Sequence, residues 1–471
     1  MRKERDSFGM AMVPSEAYYG IFTQRAMGNF PISRLRLQME LIKAYAQIKR
    51  AAAVSNIKAG RLGGKIGSAI VRASEEVIDS KPGSRLWDQF PVDVFQAGAG
   101  TSTNMNLNEV IANRALEILG KKRGDYKAIN PNDHVNMSQS TNDTFHDAIH
   151  IAAYVQVQER LIPALMGYER AVKKKARSFS RIVKLGRTHL MDAVPITLGQ
   201  EFSGYSIASE MELMGHSARG LSFLSLGGTA VGTGINTDPD FAGIALTALN
   251  SHLGHGFRIS PNRFSYMQNL SAIAEASGAL KVLALRFIKI ANDLRFLSSG
   301  PNSGIGEITL PAVQPGSSIM PGKVNPSIPE MLDMVCFKVI GNDLTVSLAA
   351  QNGQLDLNVF GPVAAYSLLE SLEIMANGVG IFTNKCILGI KPNVKRIAFN
   401  LSRSAEIATV LAPMLGYGVA SEIIEEAVRK GVDIKELILK RKILTRKELD
   451  SAFEPMALTK PNLNRKKADG V

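Results

Sequence analysis

The 471-residue sequence is poor in cysteine and in aromatic residues: it has two Cys, one Trp and 6% aromatic residues in all. Two cysteines, Cys336 and Cys386, exclude a disulfide framework and a four-cysteine zinc site, and they favour a reducing compartment. Scarce aromatic residues disfavour a β-sandwich or barrel, while plentiful Ala and Leu favour helices. The opening MRKERD is not followed by the apolar segment of a secretory signal. We therefore expect a mostly helical, cytoplasmic protein.

Long hydrophobic runs are also missing, and the charge lacks the clustering that nucleic-acid binding requires. The uncharged residues 220–237 contain five glycines, which makes them a poor membrane helix. Lys and Arg number 55 against 42 Asp and Glu, a net charge of +13. The densest basic clusters, residues 440–442 and 465–467, lack interleaved aromatic residues. We expect no membrane and no nucleic-acid partner, although the positive field suits a small anionic ligand.

Length and an apolar content of 45% predict several domains. We expect a mixed helical N-terminal domain at residues 1–140, a central helical-bundle domain at 141–390 and a small helical C-terminal domain at 391–471. Apolar spacing predicts helices at residues 35–59, ended by Gly60, and at 148–157, 271–297, 331–350 and 363–375. The thin polar stripe of residues 271–297 is typical of a helix covered on most sides.

Two segments rich in small polar residues precede predicted helices. In QAGAGTSTNMNLNEV, residues 96–110, Thr101 and Ser102 supply donors next to flexible glycines, which suits an anionic or amide-bearing ligand; the alternative is a capped turn leading into a helix at Asn108. HVNMSQSTND, residues 134–143, sits at the start of the next predicted helix. Its candidate ligand-binding residues, which could equally be simple helix caps, are Ser140, Thr141 and Asn142.

Histidines occur in two notable contexts. GRTHLMDAVPITLGQE, residues 186–201, places a cation, a hydroxyl and an imidazole together at Arg187, Thr188 and His189. His189 is either a general acid or base or a buried structural histidine. His146 and His150 lie four residues apart without a third ligand, so we expect a pair on a helix surface rather than a zinc site.

GSSIMPGKVNP, residues 316–326, combines glycines, prolines and reactive side chains. Ser317 and Ser318 offer oxygens that could act as a base, and Lys323 and Asn325 offer electrophilic partners; an ordinary surface loop is the alternative. The following residues 327–330 have the pattern of a capping box that opens a helix at residue 331. Glu330 therefore either caps that helix or orients His189.

These four segments, in this order, resemble the aspartase/fumarase superfamily, and the resemblance extends from residues 13–30 to LTRKELD at 444–450. It implies a mostly α, three-domain subunit with a long central helix bundle, which forms a twenty-helix core in a homotetramer. It also implies active sites shared by three subunits. The implied reaction adds or removes a group across the double bond of fumarate or a fumarate-bearing compound, and it needs no metal or organic cofactor.

The resemblance also implies roles for individual residues. Ser317 would be the base that removes the C3 proton, while Lys323 and Asn325 would hold one substrate carboxylate and stabilise the aci-carboxylate that forms. Thr188 and His189 would hold the other carboxylate, with Glu330 as the partner of His189. The remaining substrate contacts would be Thr101, Ser102, Ser140, Thr141 and Asn142.

Within the family, the sequence resembles both aspartate ammonia-lyases and class II fumarate hydratases, whose small dicarboxylate substrates are L-aspartate or L-malate, with fumarate as the common product. GAGTS, SQSTND and AVPITLGQEF favour the former; LGGTAVGTG at residues 226–234 and LNVF at 357–360 favour the latter. On balance the resemblance favours deamination of L-aspartate to fumarate and ammonia, with class II fumarate hydratase as the alternative. The sequence departs from relatives at His146–Asp147, where Pro–Thr is usual, and at Gly361, where Glu or Arg is common. A catalytically silent homologue is the principal non-enzyme alternative; the intact Ser317–Lys323–Asn325 set disfavours it.

Overall fold

The computed structural model describes residues 1–404 and 409–461, and these are mostly helical, which confirms the expected fold class. The α-helices in these ranges are α1 Ile21–Asn29, α2 Met39–Lys58, α3 Gly64–Ile78, α4 Thr101–Ile118, α5 Thr141–Gln156, α6 Ile162–Ser178, α7 Leu198–Ser203, α8 Ala208–Leu221, α9 Phe241–Leu253, α10 Arg263–Gln268, α11 Ser271–Leu297, α12 Ser327–Gln351, α13 Gly361–Lys385, α14 Val394–Arg403, α15 Ala412–Leu415, α16 Tyr417–Lys430, α17 Ile434–Lys440 and α18 Arg446–Ala452.

Strands are short and form two-stranded sheets. They are β1 Arg2–Asp6, β2 Gly9–Val13, β3 Val183–Thr188, β4 Met191–Thr197, β5 Phe223–Leu224, β6 Arg258–Ile259, β7 Ile308–Thr309 and β8 Lys391–Pro392. The antiparallel hairpin β3–β4 is the one that bears predicted site residues. Its register pairs Val183 with Thr197 and Thr188 with Met191, and shifts between Leu185 and Arg187. Such a bulge re-aims the side chains that follow it.

One compact unit comprises Met1–Pro163, Ser209–Leu285 and Val335–Asn377. Its core is apolar, with Leu41, Leu107 and Ile149 fully buried on α2, α4 and α5. Buried Glu109 of α4 accepts hydrogen bonds from the backbone N–H groups that open α1, at residues 20, 22 and 23. This carboxylate therefore caps the N-terminus of α1, whose own N-cap residue, Gly20, has no side chain to do so.

The second compact unit comprises Ala164–Ala208, Arg286–Met334 and Gly378–Val471. Tyr168 of α6 packs against Phe287 and Phe382, with ring centroids 5.0 and 6.0 Å apart. The C-terminal helices α16–α18 have a small core of their own, which includes Ile423, Ile438 and Leu449. The division into three domains stays a prediction.

The predicted helices form, with shifted boundaries. Residues 271–297 coincide with α11, and α2 ends just before Gly60, whose φ of +68° suits glycine. The helix predicted from residue 363 extends from 361 to 385 as α13. Among the residues described, no helix is both long enough and apolar enough to cross a membrane.

Three local expectations are wrong. The first polar segment is not a loop up to Asn108: α4 already begins at Thr101, after a single turn at Gly98–Gly100. His146 and His150 are not surface residues but 2% and 4% exposed, and carbonyl oxygens of Asn358 and Phe223 lie within hydrogen-bond distance of their buried rings. Burial lowers the pKa of His150 to about 4, so this ring is neutral.

The third wrong expectation is the capping box at residues 327–330. Helix α12 already begins at Ser327, and the buried Ser327 Oγ has no hydrogen-bond partner among the residues described. The backbone N–H of Glu330 donates to the Pro326 carbonyl at 3.2 Å, as in a regular first helical turn. Glu330 therefore does not act as the acidic member of a capping box, because Pro326 precedes the helix and offers no side-chain hydroxyl.

Candidate active site

The segment 316–326 forms a loop that is closed at its base. The backbone N–H of Gly316 donates to the Lys323 carbonyl at 2.9 Å, and Asn325 Nδ2 donates to the Gly316 carbonyl at 2.7 Å. A Cβ at residue 316 would lie 2.5 Å from the Lys323 oxygen, so this close approach requires glycine. The tip is exposed, with Ile319 84% accessible. The loop therefore has a fixed base and a solvent-facing tip.

Ser317 occupies a distinctive position inside this loop. Its Oγ accepts backbone N–H groups from Ile319 at 3.2 Å and from Met320 at 3.0 Å. Donors that converge on an oxygen favour its negatively charged form. The hydroxyl group is thus in an environment that lowers the cost of forming an alkoxide, which a serine needs in order to act as a base.

Lys323 and Asn325 line a cavity of about 700 Å³, a size within the usual range for small-molecule sites. Arg295 and Ser299 also line it, as does Thr309. Arg295 Nη1 lies 3.1 Å from Asp333 Oδ2, so part of its charge is already balanced. Lys323, the other basic residue of the cavity wall, is six residues from Ser317 in sequence.

A buried ionic network fixes the β3–β4 hairpin. Arg187 makes two hydrogen bonds to Glu307, at 2.8 and 3.0 Å, and Lys184 Nζ lies 3.1 Å from the same carboxylate. The side chains of Lys184 and Glu307 are fully buried. Burial alone would raise the pKa of Glu307, but the hydrogen bonds from Arg187 and the charge of Lys184 outweigh it and hold the pKa below its usual value.

Thr188 and His189 lie at the tip that this network supports. His189 and Leu190 form the two-residue turn between the strands, with φ of +56° and +61°. Two positive φ values define a turn that normally selects Asn or Gly, and a residue with a Cβ costs about 1–2 kcal/mol there. Both Thr188 and His189 are exposed. Within residues 1–404 and 409–461 no hydrogen bond or ion pair joins His189 to Glu330, so their pairing stays a prediction.

The segment 134–143 opens α5, as the sequence predicts. Ser140 is the N-terminal cap: its Oγ accepts from the Asn142 N–H at 3.2 Å, and Asp143 accepts from the Ser140 N–H at 3.0 Å. Asp143 also accepts the Thr229 N–H at 3.0 Å. Asn142 Nδ2 donates to the Ala230 carbonyl at 2.8 Å. Residues 140–143 and the glycine-rich segment around residue 230 are therefore tied together.

The first and second polar segments meet inside the first unit. Asn104 Nδ2, on α4, donates to Thr141 Oγ1, on α5, at 2.9 Å. Thr101 is the first residue of α4. The next residue, Ser102, is 1% exposed. The predicted ligand-contacting residues 101, 102 and 140–142 thus lie in the first unit, where the Asn104–Thr141 hydrogen bond joins α4 to α5. The second unit contains the remaining predicted site residues, which are Ser317, Lys323, Asn325, Thr188, His189 and Glu330.

Two buried charged residues that support the site are not apparent from the sequence. Lys49 on α2 is 0% exposed and donates to Asn104 Oδ1 at 2.7 Å. Glu307 carries the hairpin network. The only sequence signal for Lys49 is its place beside the apolar stripe of α2, and Glu307 lies in a loop without any signal. Across the described ranges, no three His, Cys, Asp or Glu side chains are grouped so that they could hold a metal ion.

Known proteins are similar to this chain in both sequence and fold. Residues 9–341 match the family model described as a lyase, and residues 407–460 match the one described as the fumarase C C-terminus. The aspartate ammonia-lyase of Bacillus subtilis (strain 168) is 46% identical over 98% of this chain and 97% of its own length. The class II fumarate hydratase of Thermus thermophilus is also 46% identical, over 98% and 99%.

Solved structures agree with these matches. A fumarate lyase:delta crystallin from Brucella melitensis superposes with a TM-score of 0.92 at 44% identity, over 98% of this chain and 100% of that chain. A class II fumarase from Schistosoma mansoni gives a TM-score of 0.93 at 34% identity, over 97% and 99%. The fold and the sequence matches define a lyase. The chain belongs to the aspartase/fumarase superfamily.

Proposed function

We propose that this lyase catalyses a reversible elimination that forms fumarate, and that its substrate is L-aspartate, which it converts into fumarate and ammonia. The observation that carries the proposal is the pair of backbone N–H groups that donate to Ser317 Oγ. In the proposed first step, ionised Ser317 takes the proton from C3 of the substrate. The electrons of the broken C–H bond move into the adjacent carboxylate, which becomes an aci-carboxylate with additional negative charge.

In the second step, the electron pair returns to form the double bond between C2 and C3, the C2–N bond breaks, and ammonia leaves. Lys323 supplies an ammonium group against the aci-carboxylate, and Asn325 has a second amide hydrogen besides the one donated to Gly316. Preorganised donors of this kind stabilise charge that develops in a transition state. Thr188 and His189 would hold the other carboxylate, with Glu330 as the partner of His189, and the reaction needs no metal or organic cofactor.

Ammonia is favoured over water as the leaving group by the polar segments of the first unit. The GAGTS and SQSTND sequences resemble those of aspartate ammonia-lyases. The Asn142 side-chain amide donates to the Ala230 carbonyl, and its oxygen accepts no hydrogen bond from the described residues, so it can accept one from an ammonium group. Class II fumarate hydratase is the second candidate, which the LGGTAVGTG and LNVF segments and the 46% identity with the Thermus thermophilus relative favour.

We further propose that the enzyme is a cytoplasmic homotetramer whose active sites are shared by three subunits. An apolar stripe on α12 supports association. Met334, Phe337, Leu344 and Leu348 recur at a spacing of three, seven and four residues and are 62%, 57%, 62% and 50% exposed in the single chain. This spacing is typical of the seam between packed helices, and such a stripe gains stability when a second helix covers it.

Fumarate addition in heavy water tests the leaving group directly. The enzyme is incubated with fumarate and ammonium in D₂O, and the product is identified by proton NMR. The proposal predicts aspartate with one deuteron at C3, because nitrogen adds at C2 and the Ser317 deuteron at C3. Malate as the only product would identify the second candidate. No addition of either group would contradict fumarate chemistry at this site.

A further inference from the structure

His146 is a buried side chain on α5 that the proposed reaction does not use. It is 2% exposed, and its Nε2 lies 3.0 Å from the carbonyl oxygen of Asn358. Because a carbonyl oxygen can only accept a hydrogen bond, the ring must carry a hydrogen on Nε2 and donate it. Burial lowers the pKa of His146, so the ring is neutral at pH 7. His146 therefore links α5 to the segment that joins α12 to α13.

This segment, residues 358–361, depends on His146 for one of its buried carbonyl groups. Asn358 is fully buried, and its side-chain Nδ2 donates elsewhere, to the carbonyl oxygens of Ala349 and Ala350 at 3.0 and 3.1 Å. Within the described ranges, His146 is the only donor to the Asn358 carbonyl. Without the imidazole, this oxygen would be buried without a partner, which is unfavourable unless the segment moves.

The next residue of segment 358–361 holds the turn that opens α4. The carbonyl oxygen of Val359 accepts the backbone N–H of Ala99 at 2.8 Å. Ala99 has a φ of +60°, which a residue with a Cβ adopts only where its surroundings impose it. In the same turn, the Thr101 hydroxyl donates to the Gly98 carbonyl at 3.4 Å. The place of Thr101, a predicted substrate contact, thus depends on the place of segment 358–361.

His146 and Gly361, two positions at which this sequence departs from its relatives, lie next to each other. A Cβ at residue 361 would lie 3.5 Å from His146 Cδ2 and 3.2 Å from the Phe145 ring. A Cβ at Gly100, in the turn, would overlap the same ring. Glycine at both positions therefore lets the turn and the segment pack closely against α5. A Glu or Arg at residue 361 would have to share this space with the imidazole.

We propose that His146 is a positioning residue for substrate binding. Its hydrogen bond to the Asn358 carbonyl fixes segment 358–361, and this segment sets the place of Thr101 through the turn at residues 98–100. The proposal rests on the dicarboxylate elimination proposed above, and it adds to that function a residue that acts through its neighbours. If His146 only stabilised the fold, its loss would lower Tm without a specific loss of ligand affinity.

Amide side chains of two lengths provide the test. Glutamine places its amide nitrogen near the position of histidine Nε2, whereas asparagine reaches only as far as Nδ1. His146→Gln should therefore keep the hydrogen bond to Asn358, and His146→Asn should lose it. His146→Leu removes the donor without adding a buried polar group, so it carries the test if H146N folds poorly. Ser55→Ala is the matched control, because the buried Ser55 hydroxyl donates to the Phe241 carbonyl at 2.9 Å and joins α2 to α9.

Binding of succinate, a dicarboxylate that cannot undergo the elimination, is measured by calorimetry, and Tm is measured by thermal unfolding. We expect H146N and H146L to weaken succinate binding about tenfold, a size typical of coupling through neighbouring residues, while H146Q stays within about twofold of the wild type. S55A should lower Tm and keep its affinity within about twofold. In the turnover of L-aspartate, the loss in H146N should appear mainly in KM.

Three results would overturn the proposal. The first is normal succinate binding by both H146N and H146L. The second is a loss of affinity in H146Q as large as that in H146N, because the hydrogen bond would then not be the cause. The third is a comparable loss of affinity in S55A, since any lost buried hydrogen bond would then have the same effect.

Turnover of L-aspartate by the wild-type enzyme separates this proposal from the proposed function. Fumarate release by the wild type together with normal succinate binding by H146N and H146L would contradict only the role of His146. Succinate binding that both variants weaken, without any fumarate release by the wild type, would contradict only the reaction. If the wild type neither binds succinate nor releases fumarate, both proposals fail.

Discussion

Asn325 donates its side-chain amide to the carbonyl oxygen of Gly316 at 2.7 Å and so closes the loop that carries Ser317 and Lys323. Ser317, the proposed base, and Lys323, the proposed cation, therefore lie in one loop whose base is closed by hydrogen bonds, while the tip at Ile319 stays exposed. A loop with a fixed base and an open tip can exclude water from Ser317 when the tip is covered, and a dry site strengthens each electrostatic contact inside it.

Replacing Ser317 by alanine tests the proposed base. We expect Ser317→Ala to keep the oligomer and to lower kcat about 10³-fold or more, because proton abstraction then has no positioned acceptor. Steady-state kinetics checks kcat, and light scattering checks the assembly.

The neighbouring Ser318 is the comparison residue for this variant. No backbone N–H among the described residues donates to its oxygen, so Ser318→Ala should reduce kcat far less than Ser317→Ala. Near-normal turnover by S317A would remove Ser317 from the role of the base.

His189 lies at the exposed tip of β3–β4, where we expect it to contact substrate. His189→Ala should lower kcat/KM by about tenfold to a hundredfold, mainly through KM, because it removes a substrate contact rather than the base. His252→Ala, which changes an exposed histidine on α9, is the matched control and should leave kcat/KM unchanged. An unaltered kcat/KM in H189A would make this histidine structural.

The Glu307 carboxylate should stabilise the hairpin in a pH-dependent manner. We expect Glu307→Gln to reduce the free energy of unfolding by about 3 kcal/mol at pH 7, since it removes the carboxylate that Arg187 binds at 2.8 Å and leaves Lys184 with Glu201 as its anion at 3.0 Å. The pKa of Glu307 lies below its ordinary value of 4.5, so its stabilisation is present above about pH 4.5 and is lost as the pH falls through the lower, folded value.

Thermal unfolding from pH 7 to pH 3 measures this effect. The difference in Tm between the wild type and E307Q should shrink below pH 4.5. Glu212→Gln, at an exposed position on α8, should change Tm little at any pH. A difference between wild type and E307Q that grows on acidification would contradict the account.

The apolar stripe on α12 should be required for assembly. Phe337→Glu places a charge in the middle of the stripe, and we expect the tetramer to dissociate and the activity to fall with it, because burying an unpaired carboxylate costs several kcal/mol. Analytical ultracentrifugation measures the mass. Val428→Glu, which is 66% exposed on α16, lies outside the stripe and should leave the tetramer intact. A tetrameric F337E would show that the stripe is not an interface.

Helical periodicity predicts much of this fold because it depends on local sequence. The boundaries of α11 follow from an uninterrupted apolar pattern, and the start of α5 follows from the capping chemistry of Ser140 and Asp143. The start of α4 could not be predicted from local sequence. Thr101 and its neighbours favour loops in isolation and become helical where tertiary packing buries them.

The chemistry-bearing loop was also visible in the sequence, since Ser317, Lys323 and Asn325 lie within nine residues. The buried charges could not be found in the same way. Lys49 contacts Asn104 and Asn136, 55 and 87 positions away, and Glu307 contacts Arg187, 120 positions away. Only the folded chain brings these partners together. The burial of His146 was missed for the same reason: its partner Asn358 is 212 residues distant.

The measurement that tests the central claim most directly is the release of fumarate, followed by its ultraviolet absorbance, with L-aspartate and with L-malate side by side and with S317A as the control. Our account predicts that the wild-type enzyme forms fumarate from L-aspartate and not from L-malate, and that S317A forms none at a comparable rate. Fumarate from L-malate alone would contradict the assignment of ammonia as the leaving group, and no fumarate from either substrate would contradict the proposed reaction.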